Sequence, residues 1–154
     1  MLHPGFAIQT FIVKTIIMNT KSFLIATVAG GIAFFLVGFL FYGVLMVDFF
    51  RDNAGSASGV MKEPANMPLL FLGELIFGAL YAYIFTRWAN ISTFAGGAKA
   101  GSVIGFLTGL GYNLINFSTA NIHNLTASLT DAVLSGISGA IVGGIIGWVI
   151  GRTN

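Results

Sequence analysis

The chain has 154 residues, of which 56% are hydrophobic and only 8% are charged. Soluble proteins average roughly 25% charged residues, so an ordinary water-soluble domain is excluded, because 7 basic and 5 acidic side chains cannot cover its surface. The net charge of +2 is too small to indicate a nucleic-acid partner, and the lack of cysteine excludes disulfides and thiolate metal sites.

Four apolar stretches reach the roughly 20 residues that a helix needs to cross a bilayer. They cover residues 23–47, 68–86, 94–117 and about 129–150. The second begins at Pro68, with Asn66 or Met67 as its N-cap, because proline is favoured in the first helical turn. We therefore predict an all-α integral membrane protein with a four-helix transmembrane bundle.

The first 17 residues are a doubtful N-terminal extension, because Met18 stands just before the first strong span and is a candidate for the true start. The alternatives are an interfacial amphipathic segment and an uncleaved extension of that span. The absence of an A-x-A-like site disfavours a cleaved signal peptide. We expect residues 18–154 to form a single transmembrane domain.

Basic residues predict the orientation of the spans, since cytoplasmic loops are enriched in Lys and Arg. With the N-terminus in the cytoplasm, that side holds Lys14, Lys21, Arg87, Lys99 and Arg152, and the outer side holds only Arg51 and Lys62. We expect a multi-pass protein of a bacterial inner membrane with both termini in the cytoplasm.

Two polar loops lie on the predicted outer side. The loop at residues 48–67 is rich in Gly, Ser and Asn, which indicates a flexible surface segment. The second loop, at residues 118–128, is polar and has no formal charge apart from that of His123.

Four side chains on the predicted outer side offer ligands that suit a divalent ion: Asp48, Asp52, His123 and Asp131. No spacing specifies such a site, so we predict no metal centre.

Glycine recurs at every fourth residue in the third and fourth spans, which places each row on one helix face. The rows are Gly97, Gly101, Gly105 and Gly109, then Gly139, Gly143, Gly147 and Gly151, with Ser135 one turn before the second row. Small residues at this spacing let helix backbones approach closely. We predict glycine-zipper packing of the two spans within one molecule. The alternative is packing against another copy, in a homo-oligomer or a larger membrane complex.

Six polar side chains form a possible proton or polar-cavity site, most of them in the outer half of the predicted bundle. They are Glu74, Tyr42, Tyr81, Asn113, Asn116 and Asp131. An ionisable group inside a membrane is a candidate functional group, because its burial is costly unless it is paired or hydrated.

Each of these side chains also has a structural interpretation. Glu74 can be protonated and hydrogen-bonded to Tyr42 or to an Asn. Asp131 follows Ser128, Leu129 and Thr130 in a pattern typical of a helix start, so it can act as an N-terminal cap. The two asparagines suit interhelical hydrogen bonds.

No motif indicates catalysis or a cofactor. The chain lacks H-E-x-x-H and G-x-S-x-G, and Gly109-Leu110-Gly111 lacks the third glycine of a dinucleotide loop. Ser135 or Ser138 beside Asp131 would lack a suitable base. We expect a non-enzymatic protein without a cofactor, whose surroundings are the lipid bilayer.

The stretch FLVGFLFYGVL at residues 35–45 contains a glycine followed by an aromatic-Tyr pair and a small residue. Through Gly38, Phe41, Tyr42 and Gly43 it resembles the first-span motif of a bacterial four-helix membrane family catalogued as domain of unknown function 1761. Phe41 stands where we expect Trp in that motif. The resemblance implies a membrane location and four helices, and it implies no known activity.

Two functions follow from these patterns. The first is a non-enzymatic accessory or scaffold protein that associates through its glycine-rich helices. The second is a small transporter or channel in which Glu74 and the outer-half polar layer line a cavity. An intramembrane enzyme is a third class, with no support beyond the carboxyl groups.

Overall fold

The computed structural model describes the backbone of residues 4–153 and the side chains of residues 20–153. Its helices are α1 (Pro4–Gly38), extended by a π-helical segment (Phe39–Leu45), α2 (Val47–Asp52), α3 (Met67–Tyr83), extended by a second π-helical segment (Ile84–Ala89), α4 (Phe94–Thr119) and α5 (Leu125–Thr153). The described residues contain no strand beyond an isolated bridge between Ala54 and His123. The predicted all-α class is confirmed, and the predicted extension at residues 1–17 lies outside the residues whose side chains are described.

Three helices are long and apolar enough to cross a membrane. They are Thr20–Leu45, Met67–Ala89 and Leu125–Thr153. Helices of this length and composition identify a membrane-embedded protein. The fourth long helix, α4, has 26 residues but does not reach the same apolarity, so apolarity alone supports three of the four predicted spans.

Side-chain caps fix where three helices begin. Asn66 caps α3, Thr93 caps α4 and Asn124 caps α5, each by accepting a hydrogen bond from the backbone N–H three residues later. Such a bond satisfies one of the unpaired N–H groups at a helix start. The predicted Asn66 cap is confirmed. Because Asn124 caps α5, this helix begins at Leu125, before the predicted start near residue 129.

We call the end of the bundle with residues 53–66 and 120–124 the loop end, and the opposite end, with residues 90–93, the turn end.

The four long helices form two pairs, α4 with α5 and α1 with α3. α4 packs most closely on α5, α1 packs on α3 and on α5, and α3 and α4 hardly touch. In the most apolar 18-residue segment of α5, 56% of the residues are buried in the bundle. The corresponding shares in the other two apolar helices are 22% and 28%. The helix α5 is therefore the centre of the bundle.

Glycine rows lie between α4 and α5. A Cβ atom added to Gly97 would collide with the backbone oxygen of Gly143, and one added to Gly101 would collide with that of Gly139. A Cβ atom at Gly105 would likewise meet a backbone oxygen of α5. Among the other row members, Gly109 faces the Ser135 side chain. Gly147 and Gly151 face the backbone oxygens of Thr93 and Ser92, respectively. The two backbones are thus in direct contact along the rows.

A second close approach joins α1 to its neighbours. A Cβ atom on Gly78 would lie 2.5 Å from the Gly31 nitrogen and 2.6 Å from the Thr27 oxygen. The adjacent Gly30 faces α5, where an added Cβ atom would lie 2.5 Å from Cδ1 of Ile146. Gly30 and Gly31 therefore let α1 contact both α5 and α3 closely. These two glycines are not part of a four-residue repeat, so the sequence pattern does not predict the contact.

The loop after α2 is held against the connection between α4 and α5. The amide nitrogens of Gly55 and Ala57 donate to carbonyl oxygens in residues 121–122. Nδ2 of Asn124 also donates to Oδ1 of Asn53 at 2.9 Å. The prediction of a flexible loop is wrong for these first residues, because backbone hydrogen bonds fix them at the loop end.

We predict that Gly101→Ala lowers the thermal unfolding midpoint of the protein in detergent. The added methyl group would have to separate the backbones of α4 and α5, and overpacking of this kind costs about 1–3 kcal/mol. The matched control is Gly111→Ala in the same helix, where nothing lies within 4 Å of an added Cβ atom. That variant should keep or raise the midpoint, since Ala is the better helix former. Equal midpoints for both variants would contradict the packing.

Candidate functional site

A cavity of about 450 Å³ lies where α3 and α4 fail to meet. Its lining comes from all four long helices: Phe34, Gly38 and Tyr42 from α1, Glu74, Phe77, Leu80 and Tyr81 from α3, Gly105, Thr108, Gly109 and Tyr112 from α4, and Asp131, Ser135 and Ser138 from α5. The lining is mostly apolar, and the cavity is partly open. Small-molecule sites measure roughly 300–1,000 Å³, so a small molecule fits this space.

Asp131 connects three helices at the loop end of the cavity. The Tyr42 hydroxyl of α1 donates to its Oδ1 at 2.6 Å. Nδ2 of Asn113, which is buried in α4, donates to its Oδ2 at 2.6 Å and also to the Gly109 oxygen at 2.9 Å. Both oxygens of the Asp131 carboxyl group therefore accept a hydrogen bond from another helix.

This position corrects the capping hypothesis for Asp131. The N-terminus of α5 is capped by Asn124, whose Oδ1 accepts from the Ala127 nitrogen at 2.9 Å. Asp131 lies further along the helix, where backbone N–H groups are already bonded within the helix. Its side chain is therefore free to project into the cavity.

Tyr42 reaches α5 from the π-helical segment Phe39–Leu45. A π-helical turn is wider than an α-helical one and shifts the side chains on it, and such turns are frequent at functional sites. The Tyr42 ring also packs on Phe50 of α2, with 5.5 Å between the ring centroids. Its hydroxyl donates to Asp131, rather than to Glu74, which was one of the partners that the sequence suggested.

Glu74 stands on α3 and is half-buried in the cavity wall. Its carboxyl group has no hydrogen bond or salt bridge to any of the described residues. Gly38 of α1 lies beside it, and a Cβ atom added to Gly38 would be in ordinary van der Waals contact with Oε1 of Glu74, at 3.6 Å. Glu74 is therefore a carboxyl group that faces open space, without the Tyr or Asn partner that the structural interpretation required.

Tyr81 lies at the turn end of the cavity. Its side chain is 3% exposed, and its hydroxyl donates to the Gly101 oxygen at 3.2 Å. Its ring meets that of Phe34 edge-on at 5.2 Å. This hydrogen bond joins α3 to α4 and limits the cavity at that end.

Asn116 is the one predicted site residue that the structure places elsewhere. It does not line the cavity. Its Nδ2 atom donates to the Tyr112 oxygen within α4 at 3.0 Å. Of the other predicted residues, Glu74, Tyr42, Tyr81 and Asp131 line the cavity, and Asn113 donates a hydrogen bond to the side chain of Asp131.

Hydroxyl groups on α5 extend the polar part of the cavity beyond the predicted residues. Ser135 and Ser138 follow Asp131 at offsets of one and two helical turns, so all three share a helix face. The sequence signal was present in this spacing. Sequence reasoning does not isolate this signal, because Ser135 also fits the glycine row and Ser138 also suits the role of a nucleophile.

The acidic residues at the loop end do not assemble into a metal centre. Asp48 forms a salt bridge with Arg51 at 2.8 Å, and Asp52 is 3.4 Å from the same guanidinium group. The His123 ring packs near Phe50, at 5.6 Å between centroids. Within residues 20–153, no three His, Asp or Glu side chains lie close enough to share a metal ion.

The fold and the site together define a class: an all-helical, membrane-embedded protein with a partly polar cavity among four helices. No family model, curated protein or solved structure matches this chain.

We predict that Tyr42 and Asp131 are energetically coupled. A double-mutant cycle of Tyr42→Phe and Asp131→Asn, measured as free energies of unfolding in detergent, should give a coupling of about 0.5–2 kcal/mol, as for other hydrogen bonds between membrane helices. Tyr112→Phe is the control, because Tyr112 also lines the cavity but is 69% exposed and its hydroxyl has no bonded partner among the described residues. A coupling of similar size between Tyr112 and Asp131 would contradict this assignment.

Proposed function

We propose that this protein is a small membrane transporter that binds its solute in the cavity between α3 and α4. The observation that carries the proposal is Glu74, a carboxyl group without a bonded partner in a cavity of about 450 Å³. An unpaired ionisable side chain is costly within a membrane and marks a solute or proton pathway by default.

Contacts at both ends of the cavity support a transport role. At the turn end, Tyr81 bonds Gly101, and at the loop end, Tyr42 and Asn113 both bond Asp131. Gly101 and Asn113 are about 18 Å apart along α4, at 1.5 Å per residue. Alternate opening of two such contacts would admit a solute from one side at a time.

The competing hypothesis, an accessory or scaffold protein, depended on glycine rows that are free to bind another chain. Both rows are occupied by contacts between α4 and α5 of the same molecule. A homo-oligomer or a larger membrane complex would have to form through other surfaces. The transporter hypothesis is therefore better supported, and we retain the prediction of a non-enzymatic protein.

We also propose that α4 is the fourth span. Its 26 residues extend about 39 Å, enough to cross a hydrocarbon core of about 30 Å. Close contact with α5 supports a zipper of the two glycine rows in the membrane. The distribution of Lys and Arg favours cytoplasmic termini and a bacterial inner membrane. The resemblance to domain of unknown function 1761 agrees with four spans and stays a proposal.

We predict that a cysteine at Thr108, in the cavity wall, reacts with a charged, membrane-impermeant thiol reagent. The chain has no cysteine, so single-cysteine variants need no further changes. Leu107→Cys is the matched control, because Leu107 is adjacent and 60% exposed but does not line the cavity. Thr108→Cys should react at least about tenfold faster, since a thiol facing lipid is neither hydrated nor ionised.

The labelling experiment is done from each side of the membrane, in intact cells and in inverted vesicles. A transporter should expose Thr108→Cys to the reagent from at least one side. If this variant is as unreactive as Leu107→Cys from both sides, water does not reach the cavity and the transporter hypothesis is rejected.

A further inference from the structure

The cavity lining has two carboxyl groups and no basic side chain. Glu74 and Asp131 contribute carboxyl groups, and no Lys, Arg or His residue is part of the lining. A carboxylate inside a membrane needs a positive partner or water. The described lining supplies no positive partner, so a cationic ligand would provide one and an anionic ligand would be repelled.

Aromatic side chains make up much of the remaining wall. The Phe34 ring is 5.2 Å from the Tyr81 ring and 6.2 Å from the Phe77 ring, measured between centroids. Aromatic faces attract organic cations and also accommodate their apolar groups. Hard metal ions, in contrast, take six or more oxygen ligands, which a mostly apolar wall with two carboxyl groups does not offer.

The cavity is partly open, and two of the helices that line it, α3 and α4, hardly touch each other. In a bilayer, a gap between two adjacent helices opens toward lipid tails as well as toward water. An apolar ligand dissolved in the membrane can therefore reach the cavity laterally. This route favours a lipophilic molecule over a strongly hydrated ion.

We propose that the cavity binds a lipophilic monovalent organic cation, with its charge near the carboxyl groups of Glu74 and Asp131 and its apolar groups against the aromatic wall. This inference rests on the proposed transporter function and names its substrate class. Glu74 carries the larger share of recognition, because both oxygens of Asp131 already accept hydrogen bonds from Tyr42 and Asn113.

The test compares tetraphenylphosphonium with tetraphenylborate, two ions of nearly the same shape and opposite charge. Binding of each is measured by equilibrium dialysis on the full chain in lipid nanodiscs, with empty nanodiscs as the blank for partition into lipid. Tetraphenylphosphonium should bind above the blank, and tetraphenylborate should not. Protein-dependent binding of both ions with equal affinity would overturn the proposal, since it would exclude charge recognition.

Variants assign the binding to the cavity. Glu74→Gln should weaken tetraphenylphosphonium binding by about tenfold or more, whereas Glu63→Gln, the same change in the exposed loop, should leave it unchanged. Equal binding by both variants would overturn the assignment to Glu74. The comparison of the two ions uses the unmodified chain, so it remains decisive even if Glu74→Gln fails to fold.

Failure of this inference can be distinguished from failure of the proposed function. If tetraphenylphosphonium does not bind but Thr108→Cys reacts with the thiol reagent, the cation specificity is wrong and a water-accessible transport cavity stands. If neither result is obtained, both proposals are rejected.

Discussion

The direct backbone contact between α4 and α5 is the constraint on which the rest of the structure depends. The Cα atoms of Gly97 and Gly101 approach backbone oxygens of α5 so closely that no side chain fits between them. Lipid tails can replace apolar side-chain contacts at little cost, but they cannot replace the van der Waals contacts of two closely packed backbones. The pair therefore stays together in a membrane, and α5, packed on α1 as well, becomes the most enclosed helix.

The cavity is a consequence of this pairing. Since α4 is held by α5 and α3 is held by α1, the two outer helices hardly touch each other, and the bond from Tyr81 to Gly101 joins them at the turn end. An all-apolar groove of this kind would simply fill with lipid. The groove instead contains Glu74 and Asp131 together with hydroxyl groups of α5. Replacing buried polar groups by well-packed apolar side chains is often neutral or stabilising, so hydrogen bonding alone does not account for them. The proposed binding function gives these polar groups a role in the groove.

The sequence predicted the features that repeat and missed those that depend on a single contact. Apolar length identified the three helices that are apolar enough to cross a membrane, because apolar length is regular along the chain. The regular glycine period placed its residues on one face of α4. The partner of Tyr42 could not be predicted, since a π-helical segment breaks that regularity. Asp131 was mistaken for a cap because its local pattern resembles a helix start, whereas Asn124, bonded to Asn53 across the loops, determines the actual one.

The two contacts that close the cavity differ in how firmly they are held. Tyr81 is 3% exposed and belongs to the main apolar core. Its hydroxyl donates to the backbone oxygen of Gly101, a glycine that is itself in contact with α5. Tyr42 is 43% exposed and stands on a π-helical turn, whose hydrogen bonds form a less regular ladder than those of an α-helix. Breaking the first contact would disturb the core, while breaking the second requires only a change in the end of α1. The loop end is therefore the end at which this fold can open at the lower cost.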